Sequence, residues 1–243
     1  MTDALPILGQ APDGLWLTVG QRALQVPAFT SHPGDRLLLM PTGREESGDV
    51  AASLARVLTG LQPAALGKLR LFDKALGTMA YLDTLKMRTH IGLVQGRGGL
   101  LANRTVHDNV LLPLSVHGGL AHEQEVQRID ALLDDLELLT VKNLRPYLLD
   151  EAVRFRACAA RALVLQPQWL VVEGMGDFEP TTHGSHTWQR MLHHVDAAQG
   201  AVVVCMPRPI LAFARWWTSH GGRVLDCPLV DSLPAAQAGS VAL

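Results

Sequence analysis

Residues 40 to 61, MPTGREESGDVAASLARVLTGL, run from an apolar segment through a turn of Gly, Ser and Asp into a segment of helical period. A turn of this kind can cradle phosphate, because the free N–H groups and dipole of the helix N-terminus both favour an anion. Such a loop also needs a lysine for the phosphate charge and a hydroxyl for magnesium. No lysine stands here: Ala51 and Ala52 precede Ser53, while Glu45, Glu46 and Asp49 bring carboxylates to the turn. A second candidate is Glu173, followed by Gly174 at the end of the run WLVVEG. A third is the group His183, His186, His193 and His194. Helical spacing brings His186 and His193 or His194 to one face, which permits a metal site, although a solvated helix face is the better reading.

The elements that must position these residues alternate in type. Short apolar runs bounded by Gly, Pro and Asp separate longer segments of helical period, the pattern of an α/β chain with a largely parallel sheet. Leu37 to Met40 reads as a buried strand after the turn His32-Pro33-Gly34-Asp35. The helix after it presents Val50, Leu54, Val57 or Leu58, and Leu61 on one face, with Asp49 placed to cap it. Ile91 to Val94 is a further strand, and Val126, Ile129, Leu133 and Leu136 share the face of a helix ending near Leu139. Trp169 to Val172 and Ala201 to Met206 read as central strands. Trp216-Trp217 reads as part of a strand. Met1 to Asp13 and Val230 to Leu243 read as loose ends.

The 243 residues, 48% hydrophobic and 18% charged, suffice for one domain with a sizeable core. A net charge of -2 excludes a general basic field for nucleic acid. Three cysteines without a CxxC pair fit reduced thiols. No basic leader and no long apolar span occur, so a cytoplasmic protein is expected.

Three further segments, in order, carry a resemblance. IGLVQGRGGLLANRTVHDNVLLPLSVHG (91–118) resembles the strand, Q-loop and following helix of the ATPase subunits of ATP-binding cassette (ABC) transporters, especially those of Mla-type lipid trafficking, lipoprotein release and cell division. LLDEAVRFRACAARALVLQPQWLVVEG (148–174) resembles the signature helix leading into the Walker B strand, with Ala160-Arg161-Ala162-Leu163 and Pro167 in register. ARWWTSHGGRVLD (214–226) is similar to the family's late hairpin, Gly222-Arg223-Val224 standing for Gly-Arg-Ile. With the opening loop, the likeness covers about residues 15 to 226. It implies a P-loop NTPase-like α/β fold in a single domain, with an antiparallel β part and a helical subdomain at about 95 to 162.

The same register implies that the catalytic stations are altered. Anchoring on Thr59-Gly60-Leu61 places Glu45 and Val50 at the two loop glycines, Ala51 at the lysine and Ala52 at the hydroxyl, with only Gly48 and Ser53 matching. Counted from Gly34, the loop is about four residues longer than the family's. Glu173 stands at the magnesium-linked Asp and is a metal candidate, Gly174 at the general base, and Met206 at the switch His. The Q-loop Gln position falls on Gly96, with Gln95 one place early and expected to point away. Leu149-Asp150-Glu151-Ala152-Val153 replaces LSGGQ, although Asp150-Glu151 also suits a plain helix start. The adenine-stacking position falls on Val19, with Trp16 nearby as platform or as core.

Magnitudes weigh against ordinary ATP binding. Each lost charge-assisted bond to phosphate costs about 1.5 to 3 kcal/mol, and a carboxylate at 4 Å adds repulsion of up to roughly 4 kcal/mol at an effective dielectric of 20. A micromolar site has only about 8 kcal/mol in total. Neither cofactor, ATP or magnesium, is therefore expected except at weak affinity. The resemblance implies partners instead: a membrane permease or a second ATPase subunit, within a dimer at the inner face of the membrane. His107, Asp108, Asn109, Val110 and Leu114 would form the permease-docking surface. The expectation is a non-hydrolytic subunit of a bacterial envelope transport system, with lipid as one cargo class. Two alternatives stand beside it: an unorthodox ATPase using Glu173, and a homodimer binding another ligand in the remodelled cleft.

Overall fold

Leu37, Leu38 and Leu39 are all fully buried, yet they face two different cores. Side chains alternate along a strand, so a continuous apolar run is stable only where both faces of its sheet are covered. The computed structural model describes residues 5–43, 50–75, 79–96, 99–117, 122–174, 182–206 and 210–234.

The chain opens with β1 (Gly9–Ala11), β2 (Leu15–Val19), β3 (Arg22–Val26), β4 (Phe29–Ser31) and β5 (Arg36–Thr42). There follow α1 (Val50–Leu58), β6 (Arg70–Leu71), β7 (Lys74–Ala75), α2 (Tyr81–Arg88) and β8 (Ile91–Gln95). The helices α3 (Val106–His117), α4 (His122–Asp135) and α5 (Glu151–Leu163) come next, then β9 (Trp169–Glu173), α6 (Thr182–Ala197), β10 (Ala201–Cys205), α7 (Leu211–Ser219) and β11 (Arg223–Val230).

Among the described residues the main sheet has the order β2-β3-β11-β5-β10-β9-β8. Its pairings from β11 to β8 are parallel, while β3 meets both β2 and β11 antiparallel. A smaller antiparallel sheet has the order β4-β1-β6-β7. The expected strands at 37–40, 91–94, 169–172 and 201–206 are thus all present, with β9 and β10 in the interior of the sheet.

One face of the main sheet carries Leu37, Leu39, Trp169, Val171, Val203 and Cys205 against α1. The other carries Leu38, Leu170, Val172, Val202 and Val204 against α3, α4, α5, α6 and α7. Trp169 fixes β9 to the end of α1, its Nε1 donating to the Leu58 carbonyl at 3.0 Å. Gly60 follows that helix at φ +70°, a left-handed position that suits glycine after a helix end.

Two expectations are corrected. The Trp216-Trp217 segment is helical, within α7, because Phe213, Ala214 and Trp217 recur at helical spacing and are the residues buried there. Aromatic content suggested a strand, and the four-residue spacing of Phe213 and Trp217 decided otherwise. Trp188, Phe213 and Trp217 then pack as one aromatic group, with centroids 5.5 to 5.6 Å apart. Nor is the segment before Asp13 loose in its described part: β1 bridges β4 and β6, and Leu8 and Ala11 are buried.

Candidate functional site

Parallel strands in an open sheet end together, and ligands enter such folds at the carboxyl ends of the strands. Here β8, β9 and β10 end in register, with Gln95 paired to Glu173 and Glu173 to Cys205. Glu173 is half-buried at the end of β9. Gly174 follows at φ +59°, its N–H donating to the Cys205 carbonyl at 2.8 Å. Met206 follows Cys205 with no exposed surface, and its N–H donates to Leu39 of β5. So Gln95, Gly96, Glu173, Gly174 and Met206 lie on adjoining strand ends.

Gln95 does not point away. Its Nε2 donates to Glu173 Oε2 at 3.4 Å, since residues in parallel register share a face. Gly96 N–H donates to the Glu173 carbonyl at 2.8 Å, and a Cβ at Gly96 would lie 2.7 Å from that same oxygen. The close approach at position 96 therefore favours glycine. Arg161 was missed as a site residue. Its guanidinium donates to the Gly99 carbonyl, linking α5 to the segment after β8, and burial lowers its pKa below the usual arginine value. Its place in the Ala-Arg-Ala-Leu register was the available signal.

At the phosphate loop, Glu45, Gly48 and the proposed cap Asp49 lie outside the described residues. Val50, Ala51, Ala52 and Ser53 occupy the first turn of α1 and are all buried. Val50 and Ala51 face the core of the α1 layer. Ser53 Oγ accepts from Arg56 Nη2 at 3.3 Å.

The residues in the signature position form a helix start. Asp150 accepts from the Val153 N–H at 2.8 Å as the N-cap of α5. Leu149 packs into the core, Glu151 and Ala152 are exposed, and Val153 is half-buried. The carboxylate of Asp150 is thus already engaged with its own helix.

The expected docking surface is corrected in part. Asn109, Val110 and Leu114 are buried, the first two with no exposed surface and Leu114 at 1%. Asn109 folds the preceding turn. Its Oδ1 accepts from Leu101 N–H at 2.7 Å, and its Nδ2 donates to the carbonyls of Leu101, Thr105 and, more weakly, Arg104. His107 and Asp108 keep partial exposure, and Leu112 and Val116 are the outward apolar residues of α3. Thr105 and Asp108 exchange side-chain to backbone bonds, a capping box whose Thr105 hydroxyl holds the Asp108 carboxyl below its usual pKa. Helical spacing explains the division: residues 106, 110 and 114 share the inner face.

Among the other candidates, Trp16 is half-buried in β2 and its backbone bonds to Ala65 and Leu66, while Val19 is buried. The side chain of His183 lies outside the described residues. His194 pairs with Asp135 at 2.8 Å. Among the described residues no group of three or more His, Cys, Asp and Glu could hold a metal ion. Cys158, Cys205 and Cys227 are buried and form no disulfide. Burial pushes the Cys158 thiol up to about 11 and that of Cys227 to about 12, which leaves both inert at neutral pH.

The chain is 31% identical over 129 residues to a methionine import ATP-binding protein of Acinetobacter baylyi, a match covering 53% of this chain and 36% of that protein. It therefore spans about a third of the length of that relative. It is 29% identical over 162 residues to the cell division ATP-binding protein FtsE of Escherichia coli K12, covering 67% of this chain and 68% of that one. Among solved structures, the dimeric bacterial ABC transporter cassette MJ0796 superposes with a TM-score of 0.71 at 19% identity, covering 90% of this chain and 94% of that one. No family model matches the chain. The parallel-sheet architecture and these comparisons agree: the chain is similar in sequence to ABC transporter ATP-binding subunits and has the fold of their cassettes.

Proposed function

We propose that this chain is a non-hydrolytic member of its family, acting as a structural or regulatory subunit beside a membrane permease or a second ATPase subunit in a bacterial envelope transport system. The observation that carries the reading is the burial of Ala51 and Ala52 in the first turn of α1, where the family's lysine and hydroxyl would stand. Methyl groups offer a phosphate neither charge nor a hydrogen bond. Gly174 has no side chain to polarise water, and Met206 is a buried thioether that cannot sense a terminal phosphate. These residues do not fit ATP with magnesium, so no hydrolytic step is assigned to them.

The dimer, the peripheral place at the inner membrane face and a lipid cargo belong to the same proposal. Its support is the likeness of residues 91 to 118 to the Mla-type and cell-division subunits. No helix among the described residues is long and apolar enough to cross a membrane. The alternative of a working ATPase draws on one feature, the carboxylate of Glu173 at a strand end beside Gln95. Titration calorimetry of ATP with magnesium separates the two. The proposal expects a Kd of about 1 mM or weaker, near 4 kcal/mol of binding. Micromolar binding, or ATP turnover abolished by Glu173→Ala, would establish the alternative.

A further inference from the structure

The end of α4 is hooked onto α6 through charge. Asp135, the last residue of α4, accepts at Oδ2 from His194 Nε2 at 2.8 Å, and its backbone carbonyl accepts from Arg190 Nη1. Glu137, two residues on, meets Arg190 Nη2 at 3.2 Å with one oxygen and Arg156 Nη1 at 3.0 Å with the other. A single short segment therefore reaches two residues of α6 and one of α5. Glu137, at φ +56°, is the left-handed residue that closes the end of α4, where Leu138 N–H returns to the Leu133 carbonyl at 2.7 Å.

The packing under the hook is open. A cavity of about 290 Å³ lies there, lined by Leu136, Glu137, Arg156, His186, Thr187 and Arg190. Beside the apolar contact of Phe155 with Trp188, polar pairs span this part of the boundary between the helical layer and α6. The closed arrangement also leaves Arg156 Nε buried without a partner. That orphan donor carries a cost which a second arrangement would relieve. Arg156 and Arg190 have room in the cavity to swing away from Glu137.

We infer that Asp135 and Glu137 form a clasp with Arg156, Arg190 and His194 that fixes the helical layer of α3 and α4 against α6, and that this layer is released when the clasp opens. The device is independent of the proposed function, because it operates whether or not nucleotide binds.

Native-state hydrogen exchange of the full chain tests it. The double variant Asp135→Asn, Glu137→Gln should speed amide exchange about fivefold in α4 and in the turn Leu139–Val141, with β9 and β10 unchanged. About 1 M NaCl, which shortens the screening length to about 3 Å, should move the same amides of the unaltered protein in the same direction. The salt arm decides if the variant does not fold. Unchanged exchange in α4, or equal acceleration in β9 and β10, would overturn the clasp, the latter because the pairs would then support only global stability.

Discussion

Gln95 and Glu173 face each other across adjoining parallel strands, amide Nε2 to carboxylate Oε2 at 3.4 Å. The pair places the acidic residue of the cleft in contact with the start of the segment leading to the helical layer. Replacing Gln95 by Glu would set two carboxylates at that spacing, with repulsion of up to roughly 4 kcal/mol at 4 Å and an effective dielectric of 20. Side-chain rotation will relieve much of it, so a loss of about 1 to 2 kcal/mol is expected from urea unfolding at low salt. Gln95→Leu, which removes a single hydrogen bond, should lose about 1 kcal/mol. Salt should shrink the first loss and not the second; an equal response to salt would show that the two residues are uncoupled.

Gly96 accepts no side chain without cost. A Cβ there meets the carbonyl oxygens of Glu173 and Gly174 at 2.7 and 2.8 Å, and both are backbone atoms that cannot rotate aside. Gly96→Ala and Gly96→Gln should each lower stability by about 1 to 3 kcal/mol, a drop of roughly 2 to 12 °C in melting temperature for a chain of this size. A melting temperature unchanged by Gly96→Ala would contradict the close approach.

Much of this arrangement was legible in the sequence. The strands at 37–40, 91–94, 169–172 and 201–206 announced themselves because runs buried on both faces have no polar interruption to obscure them. The strand-end stations followed from register with the resembled family. Direction within the site was less accessible: whether Gln95 turns toward Glu173 depends on the pairing of β8 with β9, a contact 78 residues apart in the chain. Likewise, the family's docking surface was transferred as a continuous block, whereas a helix exposes residues by turns. That is why Asn109, Val110 and Leu114 proved to be interior while His107 and Asp108 remained accessible.

Asn109 separates those two roles experimentally. Its amide satisfies both the N–H and the carbonyl of Leu101 together with two more carbonyls, all around a fully buried side chain. Asn109→Ala should cost about 2 to 4 kcal/mol, because several polar groups lose their partner at once. His107→Ala, on the accessible side of the same helix, should stay within about 0.5 kcal/mol. Chemical denaturation of the two variants side by side is the measurement. Equal small losses would return Asn109 to the surface.

The buried thiols set a pH dependence of stability. Burial raises Cys158 from 9.0 to about 11 and Cys227 from 9.0 to about 12, and Cys205 is raised as well. An unfolded thiol ionises near pH 9 while the folded one stays protonated, so the unfolded state loses protons first as pH rises. The contribution of these neutral thiols is complete below about pH 9 and declines from there through the folded values. The slope is up to about 1.4 kcal/mol per pH unit for each thiol. Urea unfolding between pH 8 and pH 10.5 should therefore show a steeper alkaline fall for the unaltered protein than for Cys227→Ala, whatever the substitution costs at pH 8. Parallel curves would mean that the Cys227 thiol is not held neutral by its surroundings, and the physical reason would have to be solvent access to Cys227, which the structure leaves with no exposed surface.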